Sequence, residues 1–294
     1  MDPEVAIRVT RRRALADEWA LVLAAEGLHP SVDGERGGFA LAVPGEEVER
    51  AKALLEAWES EGRERAAEAA AAALREPSLD PGSGRHAFLA ALGLVLFFGV
   101  TGPDSQNAWF ASGRADAARI AAEPWRAVTA LTLHADAAHV LGNAVAGALF
   151  LAGVFRAFGV GVGALMALGA GAAGNLGNAW IHRAGGHLSI GASTAVFGAL
   201  GILAGRALVR GRARGARGRR AWTPVAAALA LLAMIGTEGE HVDLWAHLLG
   251  LAAGGVLGAG ALVLGWDSPR RAVQWPAAAA AAAALVGSWA LALR

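Results

Sequence analysis

Four polar side chains lie within or at the start of strongly apolar segments of this sequence. His139 and Asn143 are four residues apart, so they share one face of a helix. Ser193 begins a second apolar segment, and His247 lies near the start of a third. Because polar groups inside a membrane are costly, each of them indicates a functional role by default.

A serine and a histidine that meet in this way can carry out acyl transfer. The serine hydroxyl is a poor nucleophile until a neutral imidazole takes its proton, so Ser193 is the candidate nucleophile and His247 the candidate base. The oxyanion that forms needs fixed hydrogen-bond donors, and the Ser193 amide at a helix N-terminus, Asn143 and His139 would supply them. Asp243 is four residues before His247 but nearer the surface, and no catalytic role is assigned to it.

The composition indicates which elements position these residues. The chain has 294 residues, of which 55% are hydrophobic and 17% charged, whereas about a quarter is charged in a soluble domain. Residues 1–85 carry a net charge of −6 and the remainder +7. This division predicts a soluble domain followed by membrane spans. The absence of cysteine excludes thiolate catalysis, disulfides and cysteine-ligated zinc.

Residues 1–76 are predicted to form a small α+β domain with the order βαββα. Residues 5–10 and residues 39–43 have strand patterns, and each of these two segments is followed by an amphipathic helical pattern. Asp33-Gly34 and Gly37-Gly38 are interpreted as turn signals. No catalytic constellation is found in this domain, which favours a regulatory or docking role.

The rest of the chain predicts an all-α polytopic membrane protein. A linker at 77–85 precedes a six-span core at 86–270, and residues 271–294 add a seventh, C-terminal span. Most of the apolar segments are just long enough to cross a hydrocarbon core of roughly 30 Å. They lie at 87–101, 138–155, 160–181, 192–209, 222–237, 244–265 and 276–293.

The arginines predict the orientation of the spans. The N-terminus has no apolar signal segment, so the first domain is expected in the cytoplasm. Residues 210–220 contain six arginines and, with Arg156 and Arg270, then fall on the cytoplasmic side, as the positive-inside rule requires. The expected location is the cell membrane, which in a bacterium is the inner membrane. The 210–220 run contains no aromatic residue for stacking, so nucleic-acid binding is not predicted.

With this orientation, spans two, four and six all run from outside to inside, and the four polar residues share one outer layer. Gly250, Gly254 and Gly258 leave a groove on span six, and Gly201 and Gly205 do the same on span four. Such small-residue faces allow helices to approach closely. Packing of spans four and six would place the serine beside the histidine.

The apolar part resembles the rhomboid family of intramembrane serine proteases over roughly residues 86–270, and it carries four of the family's motifs in order. These are Trp125-Arg126 for the WR element, His134-x4-His139-x3-Asn143 for HxxxxHxxxN, Gly191-Ala192-Ser193 for GxS, and Ala246-His247-x-x-Gly250 for AHxxG.

The resemblance implies a serine endopeptidase that cleaves transmembrane segments of membrane proteins near the outer face, within the lipid bilayer and without metal or cofactor. It implies Ser193 as nucleophile, His247 as base, and His139, Asn143 and the Ser193 amide as the oxyanion hole. Residues implied to support the site or substrate binding are Gly191, Phe197, His134, Trp125 and Arg126, with His134 a structural residue of the outer loop.

Two positions depart from the family pattern. Thr194 replaces the last glycine of GxSG, where a side chain can crowd the oxyanion pocket. Phe197 stands where a tyrosine often packs against the catalytic histidine. Neither change removes a reacting group, so activity is expected.

Two other classes of function remain alternatives. A catalytically silent rhomboid-like protein would bind transmembrane helices without cutting them, and Thr194 is the feature in its favour. A transporter or channel would also have many spans, but no buried acidic residue or paired broken helix indicates one. There is no HExxH motif and no membrane pair of aspartates for another class of intramembrane protease. His182, His187 and His241 are interpreted as interfacial loop residues without metal-ligand spacing.

Overall fold

The computed structural model of the protein describes residues 4–35, 37–74, 81–103, 107–235, 243–266 and 271–294. The chain divides into two compact units, residues 1–78 and residues 79–294. His241 and residues 77–80 of the predicted linker lie outside the described residues.

The first unit has the predicted βαββα order. Its elements are β1 (Glu4–Thr10), α1 (Arg13–Ala25), β2 (Ser31–Glu35), β3 (Gly38–Pro44) and α2 (Val48–Leu74). The strands form an antiparallel sheet with β3 in the centre. One face of the sheet is covered by the helices, and Trp19, Leu41 and Leu55 belong to the core between them.

One turn prediction in this unit was wrong. Asp33 and Gly34 lie inside β2, where they pair with Ala40 and Phe39. The pairing continues to Glu35 and Gly38, because Gly37-Gly38 already supplies the glycines that a tight hairpin connection needs.

Within the described residues, the second unit has seven long helices. They are α3 (Pro81–Thr101), α6 (Ala137–Phe158), α7 (Val160–Ile181), α8 (Ser193–Ala213), α9 (Arg219–Ile235), α10 (Leu244–Val263) and α11 (Arg271–Ala292). Helix α3 begins at Pro81, so residues 81–85 of the predicted linker are helical. A proline is well suited to the first position of a helix because its fixed φ is already helical.

Among the described residues, six of these helices are long and apolar enough to cross a membrane: α3, α6, α7, α8, α10 and α11. Helix α9, the fifth span predicted from sequence, has 17 described residues and ends at Ile235, beside residues outside the described part. The predicted polytopic helical fold and the seventh C-terminal helix are both present.

The long loop between α3 and α6 is folded. It contains α4 (Ala108–Gly113), β4 (Ala115–Asp116) and α5 (Arg126–Thr129). Strand β4 pairs with β5 (Leu188–Ser189), which lies between α7 and α8. This pairing ties the loop to the segment that leads into Ser193, and we refer to that end of the helices as the Ser193 end.

Helices α8 and α10 approach each other backbone to backbone. A Cβ atom built on Gly250, Gly254 or Gly258 of α10 would collide with a carbonyl oxygen of α8. Conversely, a Cβ on Gly201 or Gly205 of α8 would collide with carbonyl oxygens of α10. The close packing predicted from the two glycine stripes is therefore present, and it brings the first turns of α8 and α10 together.

Helix α11 is fixed to the rest of the unit at both ends. Near its start, Gln274 accepts hydrogen bonds from the amides of Gly161 and Val162 and donates to the carbonyl of Phe158. Near its other end, the indole of Trp289 donates to the Thr132 hydroxyl at 3.1 Å.

Candidate active site

Ser193 and His247 form a direct hydrogen bond. Ser193 is the first residue of α8, and His247 lies in the first turn of α10, where it is 6% exposed. His247 Nε2 and Ser193 Oγ are 2.7 Å apart, which is the distance expected between a nucleophilic hydroxyl and its base.

Phe197 helps to fix the imidazole. Its ring centroid lies 4.7 Å from that of His247, with 37° between the ring planes. Phe197 is one turn after Ser193 on α8, so the helix that carries the hydroxyl also carries the surface on which the imidazole packs. The aromatic contact predicted at this position is present without a tyrosine hydroxyl.

The backbone before Ser193 is held by two hydrogen bonds from the folded loop. The amide of Gly191 donates to the carbonyl of Ala130 at 2.9 Å, and the amide of Ala192 donates to His134 Nε2 at 3.2 Å. His134 has no exposed surface. Burial, with a smaller contribution from neighbouring His139, lowers the pKa of His134 to about 3. The ring is therefore neutral at physiological pH and can accept the Ala192 proton.

Gly191 allows the loop to approach α6. Its φ of +117° disfavours any side chain. A Cβ at this position would also lie 2.7 Å from His139 Nε2 and 3.6 Å from Asn143 Nδ2. The glycine thus places the peptide before Ser193 directly against the two side chains predicted to stabilise an oxyanion.

Asn143 offers a buried donor. It is 8% exposed, and its Nδ2 has no hydrogen-bond partner within the part of the chain that the structure describes. A buried unsatisfied amide is costly, so an acceptor delivered by a ligand would be bound favourably.

His139 lies one turn earlier on α6 and packs edge-on against His134, with 4.9 Å between ring centroids. The Asp136 carboxylate caps α6 by accepting from the His139 amide at 2.8 Å.

Trp125 and Arg126 form hydrogen bonds within the folded loop between α3 and α6. The Arg126 guanidinium is 2% exposed, pairs with Glu123 and donates to the carbonyls of Ala111 and Arg114. Hydrogen bonds from Arg126 and Arg119 hold the pKa of Glu123 below its usual value. The backbone carbonyl of Trp125, the residue before α5, accepts a hydrogen bond from the Thr129 amide. These contacts support the folded loop, and through it the peptide before Ser193.

Thr194 is buried, and its methyl group packs against α7 and α10. A Cβ on Gly174 of α7 or Gly250 of α10 would meet the Thr194 methyl carbon at 2.5 and 3.0 Å, respectively. The methyl group therefore occupies space that these two glycines leave open. The sequence suggested that the side chain at position 194 crowds the oxyanion pocket. In the structure, the glycines of α7 and α10 make room for its methyl group.

A polar cluster around Asp243 was not predicted as part of the site. Asp243 Oδ1 accepts from the Ala246 amide at 3.1 Å and so caps α10. Its Oδ2 bonds to Asn178 of α7 at 2.5 Å and to His187 at 2.6 Å. One carboxylate thus joins α7, the segment before Ser193 and the helix that carries His247. The only sequence signal was an aspartate at the N-cap position, four residues before the histidine.

The charge of Asp243 is favoured by its partners. Burial by itself raises the pKa of this carboxyl, but hydrogen bonds from His187, the Ala246 amide and Ser189 outweigh it and leave the pKa below its usual value. In the described residues, no group of three or more His, Asp or Glu side chains is arranged to hold a metal ion.

Part of the chain is similar to known proteins. Residues 121–263, which contain Trp125, His134, Asn143, Ser193 and His247, match the rhomboid domain. The chain thus carries a rhomboid domain over these residues. A relative in Bacillus subtilis (strain 168), named "Putative rhomboid protease YdcA", is 30% identical over 135 residues. The match covers 46% of this chain and 66% of that relative, which is just under two thirds of its length. No solved structure gave a significant match.

Proposed function

We propose that the protein is an intramembrane serine endopeptidase that uses a Ser193–His247 dyad. The observation that carries this proposal is the 2.7 Å hydrogen bond between His247 Nε2 and Ser193 Oγ, formed between two helices that are apolar enough to cross a membrane. Its substrates would be transmembrane segments of other membrane proteins, cut near the outer face of the bilayer.

The proposed reaction is acyl transfer in two steps. Ser193 Oγ attacks the carbonyl carbon of the scissile peptide while His247 Nε2 takes the hydroxyl proton, and His247 then gives this proton to the departing amine. Water attacks the resulting acyl-enzyme with His247 again accepting a proton. That proton returns to Ser193 Oγ as the carboxylic acid leaves.

Three groups are proposed to stabilise the oxyanion. They are the Ser193 amide in the first turn of α8, where helix amides have no intrahelical acceptor, the Asn143 amide and the His139 ring. Each preorganised donor of this kind typically contributes about 3–4 kcal/mol to the transition state. The unpartnered Asn143 Nδ2 and the close approach of Gly191 to both side chains support this assignment.

The alternative is a silent family member that binds transmembrane helices without cutting them. Its supporting feature was Thr194. The packing of Thr194 against Gly174 and Gly250 leaves the Ser193–His247 hydrogen bond in place, which favours the enzyme.

A fluorophosphonate probe that reacts with activated serines tests the proposal. We expect labelling of the wild-type protein in membranes, and loss of labelling in Ser193→Ala and His247→Ala together with loss of cleavage of a transmembrane substrate. Ser288→Ala, on α11, is the matched control and should be labelled like the wild type. Labelling that persists in Ser193→Ala, or a folded wild type that is never labelled, would reject the dyad.

A further inference from the structure

A narrow cavity of about 370 Å³ lies between α11 and the other helices of the second unit. Helices α3, α6, α7, α8 and α11 all contribute to its wall, and each of them is a candidate membrane span. The cavity therefore lies at the depth of the hydrocarbon core. Neither Ser193 nor His247 lines it, and it borders the candidate site at Asn143 and Ala192.

The wall of the cavity is almost entirely apolar. Among the described residues that line it, Asn143 and Thr132 have the only polar side chains, and none is charged. The Thr132 hydroxyl is already engaged, because it donates to the Thr129 carbonyl and accepts from Trp289. Apolar cavities of this kind stay dry, so water is a poor occupant and an apolar ligand is favoured.

The dimensions indicate what kind of apolar ligand fits. Along α6 the lining runs from Asn143 to Phe155, twelve residues or about 18 Å at 1.5 Å per residue. A volume of about 370 Å³ that extends over this length is elongated, which suits an extended apolar chain better than a compact group. A helix with its side chains is about 10 Å across and cannot enter.

The cavity opens sideways and is closed at the Ser193 end. Ala90 of α3 and Ala282 of α11 line it and are themselves exposed, so its mouth lies between these two helices. Just beyond its last lining residues on α3 and α11, the rings of Phe97, Trp109 and Trp289 pack together with centroids 5.2–5.7 Å apart. A chain can therefore enter from the bilayer and ends beneath this aromatic cluster.

We propose that this cavity binds one acyl chain of a bilayer phospholipid, inserted between α3 and α11. The lateral mouth gives access from the membrane, while the headgroup stays outside. A free fatty acid is disfavoured because the cavity has no cationic side chain to pair with its carboxylate. The bound chain fills the space between α11 and the rest of the unit. The end of the chain that lies beneath the aromatic cluster reaches Asn143.

The test is retention of lipid by the full-length protein. The protein is reconstituted in palmitoyl-oleoyl phosphatidylethanolamine, extracted into detergent, washed with lipid-free detergent and examined by native mass spectrometry. We expect one phospholipid per chain to survive washing. Ala281→Phe fills the cavity from α11 and Ala91→Phe fills it from α3. Each should retain roughly tenfold less lipid, because the chain loses contact for about two methylenes.

Ala280→Phe is the matched control, since Ala280 is the neighbour of Ala281 on α11, is exposed and does not line the cavity. It should retain lipid like the wild type. Equal retention in the three phenylalanine variants, or no retained lipid in the wild type, would overturn the proposal. A retained free fatty acid in place of phospholipid would overturn the assignment of the ligand. None of these results depends on whether the protein cuts peptides.

Discussion

Asn143 combines a buried position with a donor that has no acceptor among the described residues. If its amide stabilises the oxyanion, the benefit arises only in the transition state. We therefore expect Asn143→Ala to lower kcat about 10²–10³-fold with little change in KM. Asn143→Asp keeps the shape but removes the donor, and it should be similarly impaired. A change confined to KM in a steady-state cleavage assay would assign Asn143 to substrate binding instead.

At this scale, sequence reasoning reaches furthest for residues that lie on regular helices. Depth along the spans and the glycine stripes led to the hypothesis that Ser193 and His247 meet, and the structure places them in hydrogen-bonding distance. The bond from the Ala192 amide to His134 could not be derived from periodicity, because it joins two irregular segments. The same holds for the contact of Asp243 with His187.

The pairing of α8 with α10 depends on glycine at the contact. A Cβ on Gly254 would collide with the carbonyl of Gly198, whereas a Cβ on Gly260, on the same helix, meets nothing within 4 Å. We expect Gly254→Ala to separate the helices, lower thermal stability and reduce probe labelling of Ser193. Gly260→Ala should be neutral or stabilising by up to about 1 kcal/mol, because alanine favours the helix. Equal effects of the two substitutions would argue against backbone contact between the helices.

Asp243 predicts a pH dependence for the start of α10. Its pKa is lowered in the folded protein, so its stabilising effect is fully present above the ordinary carboxyl pKa of about 3.9 and is lost as the pH falls through the lower, folded value. Asp243→Asn keeps a good helix cap but removes the charge. It should be less stable than the wild type near pH 7, and this difference should disappear in strong acid.

Thermal unfolding of both proteins in detergent from about pH 7 to pH 2 checks this expectation. A difference that stays constant, or grows as the pH falls, would contradict the stabilising role of the carboxylate. Asp243→Ala also removes the cap and should cost about 0.5–2 kcal/mol more.

Among the elements, those with a strong period or a long apolar run were predictable. The order βαββα and the apolar helices followed from such patterns. The short elements between α3 and α6 did not, because buried polar contacts hold them, chiefly those of Arg126 with backbone carbonyls. The start of α3 at Pro81 was missed because the prolines and glycines of residues 77–85 were interpreted as a linker. Proline is also common at the first position of a helix.

For the whole molecule, the proposed orientation can be tested because the chain contains no cysteine. A cysteine introduced at Gly185, exposed at the Ser193 end, should react with a membrane-impermeant thiol reagent added outside intact cells. A cysteine at Ala213, exposed at the opposite end of α8, should react only after the membrane is opened. The reverse labelling pattern would place the arginines of 210–220 outside the cell and Ser193 near the cytoplasmic side. That orientation would contradict the positive-inside rule.

The two compact units separate the candidate chemistry from the N-terminal domain. Every candidate site residue belongs to residues 79–294. Sequence composition alone indicated this division, because charge and hydropathy change near residue 85. It could not indicate the cavity beside α11, whose walls come from five helices distant in sequence.

The packing of Thr194 links three positions that are far apart in the sequence. Its methyl group fills the volume that Gly174 and Gly250 leave empty, so the three residues share one space. Position 250 is the most tightly constrained of the three, because a Cβ there would also collide with the backbone carbonyl oxygen of Thr194. Among related chains, we therefore expect glycine at position 250 whatever residue stands at 194, and a small residue at position 174 wherever 194 carries a branched side chain.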